Sequence, residues 1–119
     1  MRFEELNENE ILDTKYNLIW RKQTIHNVIY HDALQYLKLI NEKTNQNWEI
    51  PSLFILTTII EIKNDPNSKY PNMSLEKFWS STPKYGKFDT ANYIIDFSNG
   101  VSAVAYLDNH FAVRLVRNI

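Results

Sequence analysis

The chain contains no cysteine. Disulfides, thiolate metal sites and thiol nucleophiles are therefore excluded together, and the composition is compatible with a reducing compartment. Glycine is almost as scarce, at two residues. Asn, Ile and Lys are abundant instead, a bias that reflects base composition more than function. Charge of one sign is also lacking. The net charge is −1, so no global field draws nucleic acid or an anionic membrane. No hydrophobic run is long enough to span a bilayer: the longest, Leu53 to Ile62, is interrupted by Thr57, Thr58 and Glu61. The opening residues, Met1 to Glu10, are acidic and polar and hold no apolar core of a secretory signal. That reading points to the cytoplasm, with the cell surface as the alternative if a further segment precedes these residues. Repeats and low-complexity tracts are absent.

What is present is a core. With 119 residues, 44% apolar and 13% aromatic, the sequence reads as one folded domain over 1–119. Leu18-Ile19-Trp20 and the alternating Arg21 to Ile25 are β-like, and Asp13 to Asn17 before them reads as a hairpin turn, since Asp and Asn tolerate left-handed geometry. Ile29, Ala33, Tyr36, Leu37 and Ile40 recur at helical spacing and predict a helix from about Ile29 to Lys43. A second helix starts after Pro51 with Ser52 as its N-cap, and is apolar nearly all round, hence buried. Lys63 to Asp89 reads as a long irregular loop in which only Phe78-Trp79 looks packed. The C-terminal third predicts three consecutive antiparallel strands: Ala91 to Ser98, Val101 to Leu107 and Phe111 to Arg117. Asn99-Gly100 gives a type I′ hairpin signal between the first two.

Five blocks recur in a particular order: Asp13 to Trp20; Tyr30-His31-Asp32-Ala33-Leu34; Trp48-Glu49-Ile50-Pro51-Ser52; Phe78-Trp79-Ser80-Ser81-Thr82; and Ala112 to Arg117. Together they resemble the Lcl C-terminal domain family of bacteria over roughly Asp13 to Arg117. Asn17 occupies a glycine slot of that pattern, Glu49 stands where an Arg is usual, and Ile55 stands where the helix would offer a Glu. Many members carry cysteines, and this chain has none. The resemblance implies an α+β, C-type-lectin-like fold, with two helices packed on a twisted antiparallel sheet and a long loop region. It also implies surface or adhesin-like roles.

The candidate chemistry is sparse. Ser80, Ser81 and Thr82 have no Gly-x-Ser-x-Gly elbow or local His and Asp partner, so they read as hydroxyls capping backbone groups. His26, His31 and His110 lack ligand spacing, and Asp89, Asp96 and Asp108 are too dispersed for calcium. Neither cofactor nor metal is expected, and no enzyme. Trp20, Trp48, Pro51, Trp79 and Arg114 read as structural core, Arg114 paired inside the fold and Arg117 solvated. From Lys63 to Phe88 five lysines stand against Asp65 and Glu76, with aromatics among them. Lys69, Tyr70, Lys84, Tyr85, Lys87 and Phe88 are the candidate binding residues, since loops on a rigid scaffold often recognise in this way; an ordinary solvated loop is the other reading. The acidic N-terminus is a candidate partner for those lysines. The expectation is a non-enzymatic recognition module for a partner protein or an anionic glycan, without nucleic acid or membrane insertion. The alternative is a structural subunit of a larger complex or a homo-oligomer.

Overall fold

The computed structural model describes residues 2–60, 75–84 and 91–119. Its elements in chain order are β1 (Phe3–Glu5), β2 (Glu10–Asp13), β3 (Leu18–Val28), α1 (Tyr30–Thr44), α2 (Leu53–Ile60), β4 (Lys77–Pro83), β5 (Ala91–Asp96), β6 (Val101–Tyr106) and β7 (Phe111–Asn118). The seven strands form one sheet in the order β1-β2-β3-β7-β4-β5-β6. Every pairing is antiparallel except β4 with β7, which run parallel at Phe78 and Ala112.

Strand alternation divides the core in two. On one face Leu18 and Trp20 of β3, Phe78 of β4, Ile95 of β5, and Ala112 and Val116 of β7 pack with Leu56 and Ile59 of α2. On the other, Ile19, Trp79, Ile94, Val113 and Leu115 pack with Ala33 and Ile40 of α1 and with Trp48. Adjacent residues of one strand thus belong to different clusters, and each helix covers its own face.

This architecture overturns the expected C-type-lectin-like fold, with two helices on a twisted antiparallel sheet. The protein is dominated by one mixed sheet of seven strands, with helices of only 15 and 8 residues. Two local readings fail with it, and one strand was not anticipated. β4 is no isolated packed piece of a loop but a strand in the interior of the sheet, with Phe78, Trp79 and Ser80 buried. Ser80 Oγ donates to Tyr93 O at 2.6 Å, and Pro83 sits at the last strand position, where its missing N–H costs little. The acidic start contains β1. The three C-terminal strands do not form a meander: β5 and β6 pair, but β7 crosses to lie between β3 and β4. The β5–β6 turn also differs, because Gly100 has φ +77° and Asn99 is not left-handed, so type I′ is ruled out.

Other local signals hold. Asn17 is left-handed at φ 55° between β2 and β3, and Asn45 closes α1 at φ 54°. Ser52 Oγ accepts from Ile55 N at 3.2 Å as the N-cap of α2. Thr82 Oγ1 accepts from Leu53 N at 2.9 Å, and Ser81 N donates to Pro51 O at 2.9 Å, which fixes the start of α2 onto β4. Asn27, left-handed at φ 54°, sits at the irregularity in β3 pairing between Ile25 and Val28.

Candidate recognition surface

Five of the six candidate binding residues, Lys69, Tyr70, Tyr85, Lys87 and Phe88, lie outside the described residues. Lys84 is described. It is exposed where β4 ends, its N–H donates to Ala91 O at 3.0 Å, and its Nζ lies 6.0 Å from the centroid of the Tyr93 ring. Tyr93 stands opposite Val104, and Ala91 opposite Tyr106. Residues opposite one another in an antiparallel pair share a face, to which every second residue returns. Tyr93, Val104 and Tyr106 therefore lie on the α2 face of the sheet, beside Lys84. Val104 is 46% and Tyr106 68% exposed. An ammonium group, two phenol rings and an aliphatic side chain are held there on paired backbone. The sequence reading missed the three strand members because it treated Ala91 to Ser98 and Val101 to Leu107 only as the two strands of a hairpin. The available signal was apolar side chains at both parities of an uncharged strand, which one buried face does not require.

The residues read as core are buried. Trp20 and Trp79 are inaccessible, Trp48 is 2% exposed, and Pro51 is buried. None of the three indoles offers a ring face to a sugar. Trp48 is clamped instead: Asn41 Nδ2 donates to Trp48 O at 3.0 Å and Trp48 N donates to Asn41 Oδ1 at 2.7 Å, while the Arg117 and Arg21 guanidinium carbons lie 5.2 and 5.7 Å from its ring centroid. A depression of about 630 Å³ beside it is lined by Asn41, Gln46, Asn47, Glu49 and Asn118 among others.

Arg114 is 5% exposed, and its Nη2 donates to Thr24 Oγ1 at 2.6 Å. Burial pulls its pKa down to about 10, so it still carries its charge at neutral pH. Arg117 is not solvated as expected. Its Nε and Nη2 donate to Glu10 Oε2 at 3.3 and 2.9 Å, because that face of β7 meets Trp48 and β2 rather than water. Burial works against ionisation of Glu10, but hydrogen bonds from Asn7 and Arg117 and the charges of Arg117 and Arg21 outweigh it and hold the carboxyl below its ordinary range. The acidic N-terminus is thus engaged within the sheet: Glu5 pairs with Lys22, and Glu10 with Arg117. On the α1 face, burial raises the Tyr30 pKa, with a hydrogen bond to Asn92 acting against it.

Ser80 and Thr82 spend their hydroxyls on backbone groups, and among the described residues no three His, Asp or Glu side chains converge on a point. Nor is any described helix long and apolar enough to cross a membrane. The family model of the Lcl C-terminal domain matches residues 9–117, and the chain belongs to that family. No curated protein matches it.

Proposed function

We propose that this Lcl C-terminal domain is a non-enzymatic recognition module that binds a partner protein through the surface of Lys84, Tyr93, Val104 and Tyr106. One observation carries the reading: two aromatic rings and a valine, with a lysine at their margin, stand on the face of a paired hairpin while the core aromatics are fully enclosed. Aromatic residues held rigid bind at low entropic cost, and a flanking cation adds orientation. The surface adjoins the 84–91 connection, so the remaining candidates Tyr85, Lys87 and Phe88 are close to it in sequence. The test is capture of partners from extract of the source organism by the tagged domain, with the Lys84→Ala/Tyr106→Ala variant as control. Capture of a defined protein that the variant loses supports the reading. Capture unchanged in the variant sinks it. Retention on heparin that falls with Lys84→Ala alone, without a protein partner, would replace the protein by an anionic glycan.

A further inference from the structure

We propose that β6 pairs antiparallel with β6 of a second copy of this chain, joining two sheets edge to edge about a two-fold axis perpendicular to them. This inference rests on the sheet order, not on the recognition reading above.

Among the described residues, β6 is the outermost strand at the end of the sheet opposite β1. Its register with β5 runs from Ala91 and Tyr106 to Asp96 and Val101 without a shift, so its outer side is a regular ladder. Alternate residues direct N–H and C=O away from β5, and those groups are what an added strand satisfies. Edge strands are normally blunted by charge, proline, bulges or shortness. Val101-Ser102-Ala103-Val104-Ala105-Tyr106 has none of these. Val101, Val104 and Tyr106 are 58%, 46% and 68% exposed.

The strand's neutrality and shape indicate its occupant. A symmetric antiparallel pair keeps opposite side chains on one face, so one residue must sit on the axis. With Val104 there, it meets its own counterpart. Ser102 then meets Tyr106, small against large, and Ala103 meets Ala105. No like charges face each other anywhere along the strand. The same operation on β1 (Phe3-Glu4-Glu5) would set Glu4 against Glu4, which is unfavourable. The perpendicular axis also leaves Lys84, Tyr93 and Tyr106 of both copies on the same side of the doubled sheet. If that surface binds, the dimer is bivalent.

Sedimentation velocity across a concentration series tests the pairing. A reversible dimer is expected. Ser102→Lys/Val104→Lys alters two exposed side chains and sets like charges against each other on the two-fold axis. It should raise the dissociation constant roughly ten-fold or more, with melting temperature as the check on folding. Amide exchange needs no variant: the outward amides of β6 should slow as concentration rises. A protein that stays monomeric throughout overturns the proposal, as does a dimer whose β6 amides are insensitive to concentration or whose constant the folded double variant leaves unchanged. Lys84→Ala should not alter the dimer constant, so failure of pairing and failure of recognition are read separately.

Discussion

The two edges of the sheet are built on opposite plans. At the β1 edge the strand is three residues long, carries exposed Glu4 and Glu5, and is held by side chains. Arg2 Nε and Nη2 grip Asp13 at 3.0 and 2.9 Å, while Nη1 and Nη2 reach Thr58 O and Oγ1 at 3.0 and 3.1 Å. The guanidinium also lies over the rings of Phe3 and Tyr16. Thr14 N and Oγ1 donate to Arg2 O, which continues the β1–β2 pairing by one step. At the β6 edge the strand is twice as long and uncharged, and no ion pair of the described residues involves it. The contrast teaches how one sheet handles its two open ends. Polar anchors and like charge close one end. The other end carries neither, and its neutral, exposed strand is the one to which we assign partner contacts.

The sharpest way to break the comparison is to remove the anchor of the closed edge. Asp13 is fully buried; besides Arg2, it accepts from Trp20 Nε1 at 3.3 Å and from Lys15 N at 3.2 Å. Asp13→Ala leaves a largely enclosed guanidinium without its counter-charge and an indole N–H without its acceptor. The expected loss is about 3–5 kcal/mol, read as a lower urea midpoint. A loss near zero would mean that the charges at this edge are solvated and hold nothing.

The next prediction converts one edge into the other. Glu4→Val/Glu5→Val removes the like charge from β1, together with the Glu5–Lys22 pair, whose exposed carboxylate contributes under about 1 kcal/mol. The fold should survive. Two uncharged edges on one molecule allow heterologous pairing, which does not close on itself. Light scattering should therefore show larger assemblies that grow with concentration, beyond the dimer proposed for the parent protein. If the variant scatters like the parent, charge is not what closes β1.

Much of this contrast was hidden in the sequence for physical reasons. Periodicity places α1 within a residue of its observed limits, and Pro51-Ser52 marks the start of α2, because both are local signals. The Asn17 turn and the β5–β6 hairpin are local too. Strand order is not: the parallel contact of Phe78 with Ala112 joins residues far apart in the chain, and no period announces it. β4 was obscured because Ser80 and Thr82 use their hydroxyls on backbone groups within packed structure, although the same residues favour turns when solvated. β1 was obscured by its glutamates, which suit an edge and look like a tail. Of the candidate surface, Lys84 was legible from charge among aromatics. Tyr93, Val104 and Tyr106 become a surface only once β6 is known to be outermost.

A smaller effect sharpens the account of the closed end. Glu10 of β2 joins Asn7, through a 2.7 Å hydrogen bond, to Arg117 of β7. Its carboxyl is held below the ordinary value of 4.5 by those hydrogen bonds and by Arg117 and Arg21, against the opposing effect of burial. A depressed acid contributes stability that is complete above its unfolded value and is lost as pH falls through its folded value. Stability should thus fall below about pH 4.5, and Glu10→Gln should remove that part of the slope while costing roughly 1 kcal/mol at pH 7. Equal acid slopes in parent and variant would show that Glu10 is not held in its charged form by the fold.

The smallest effect on stability falls at the open edge and carries the most meaning. Tyr106 is 68% exposed, lies on the last position of β6, and is backed by Ala91 across the hairpin. Its ring adds little to either core cluster, so Tyr106→Ala should change the free energy of unfolding by less than about 0.5 kcal/mol. It removes the largest exposed aromatic surface of the proposed recognition site and the group that meets Ser102 across the proposed two-fold. Unfolding and capture measured on the same preparation therefore give a clear reading: an unchanged urea midpoint with lost capture means that this edge is kept for another molecule. A stability lowered by about 2 kcal/mol or more would instead make Tyr106 part of the fold's own packing, and the two edges would no longer differ in kind.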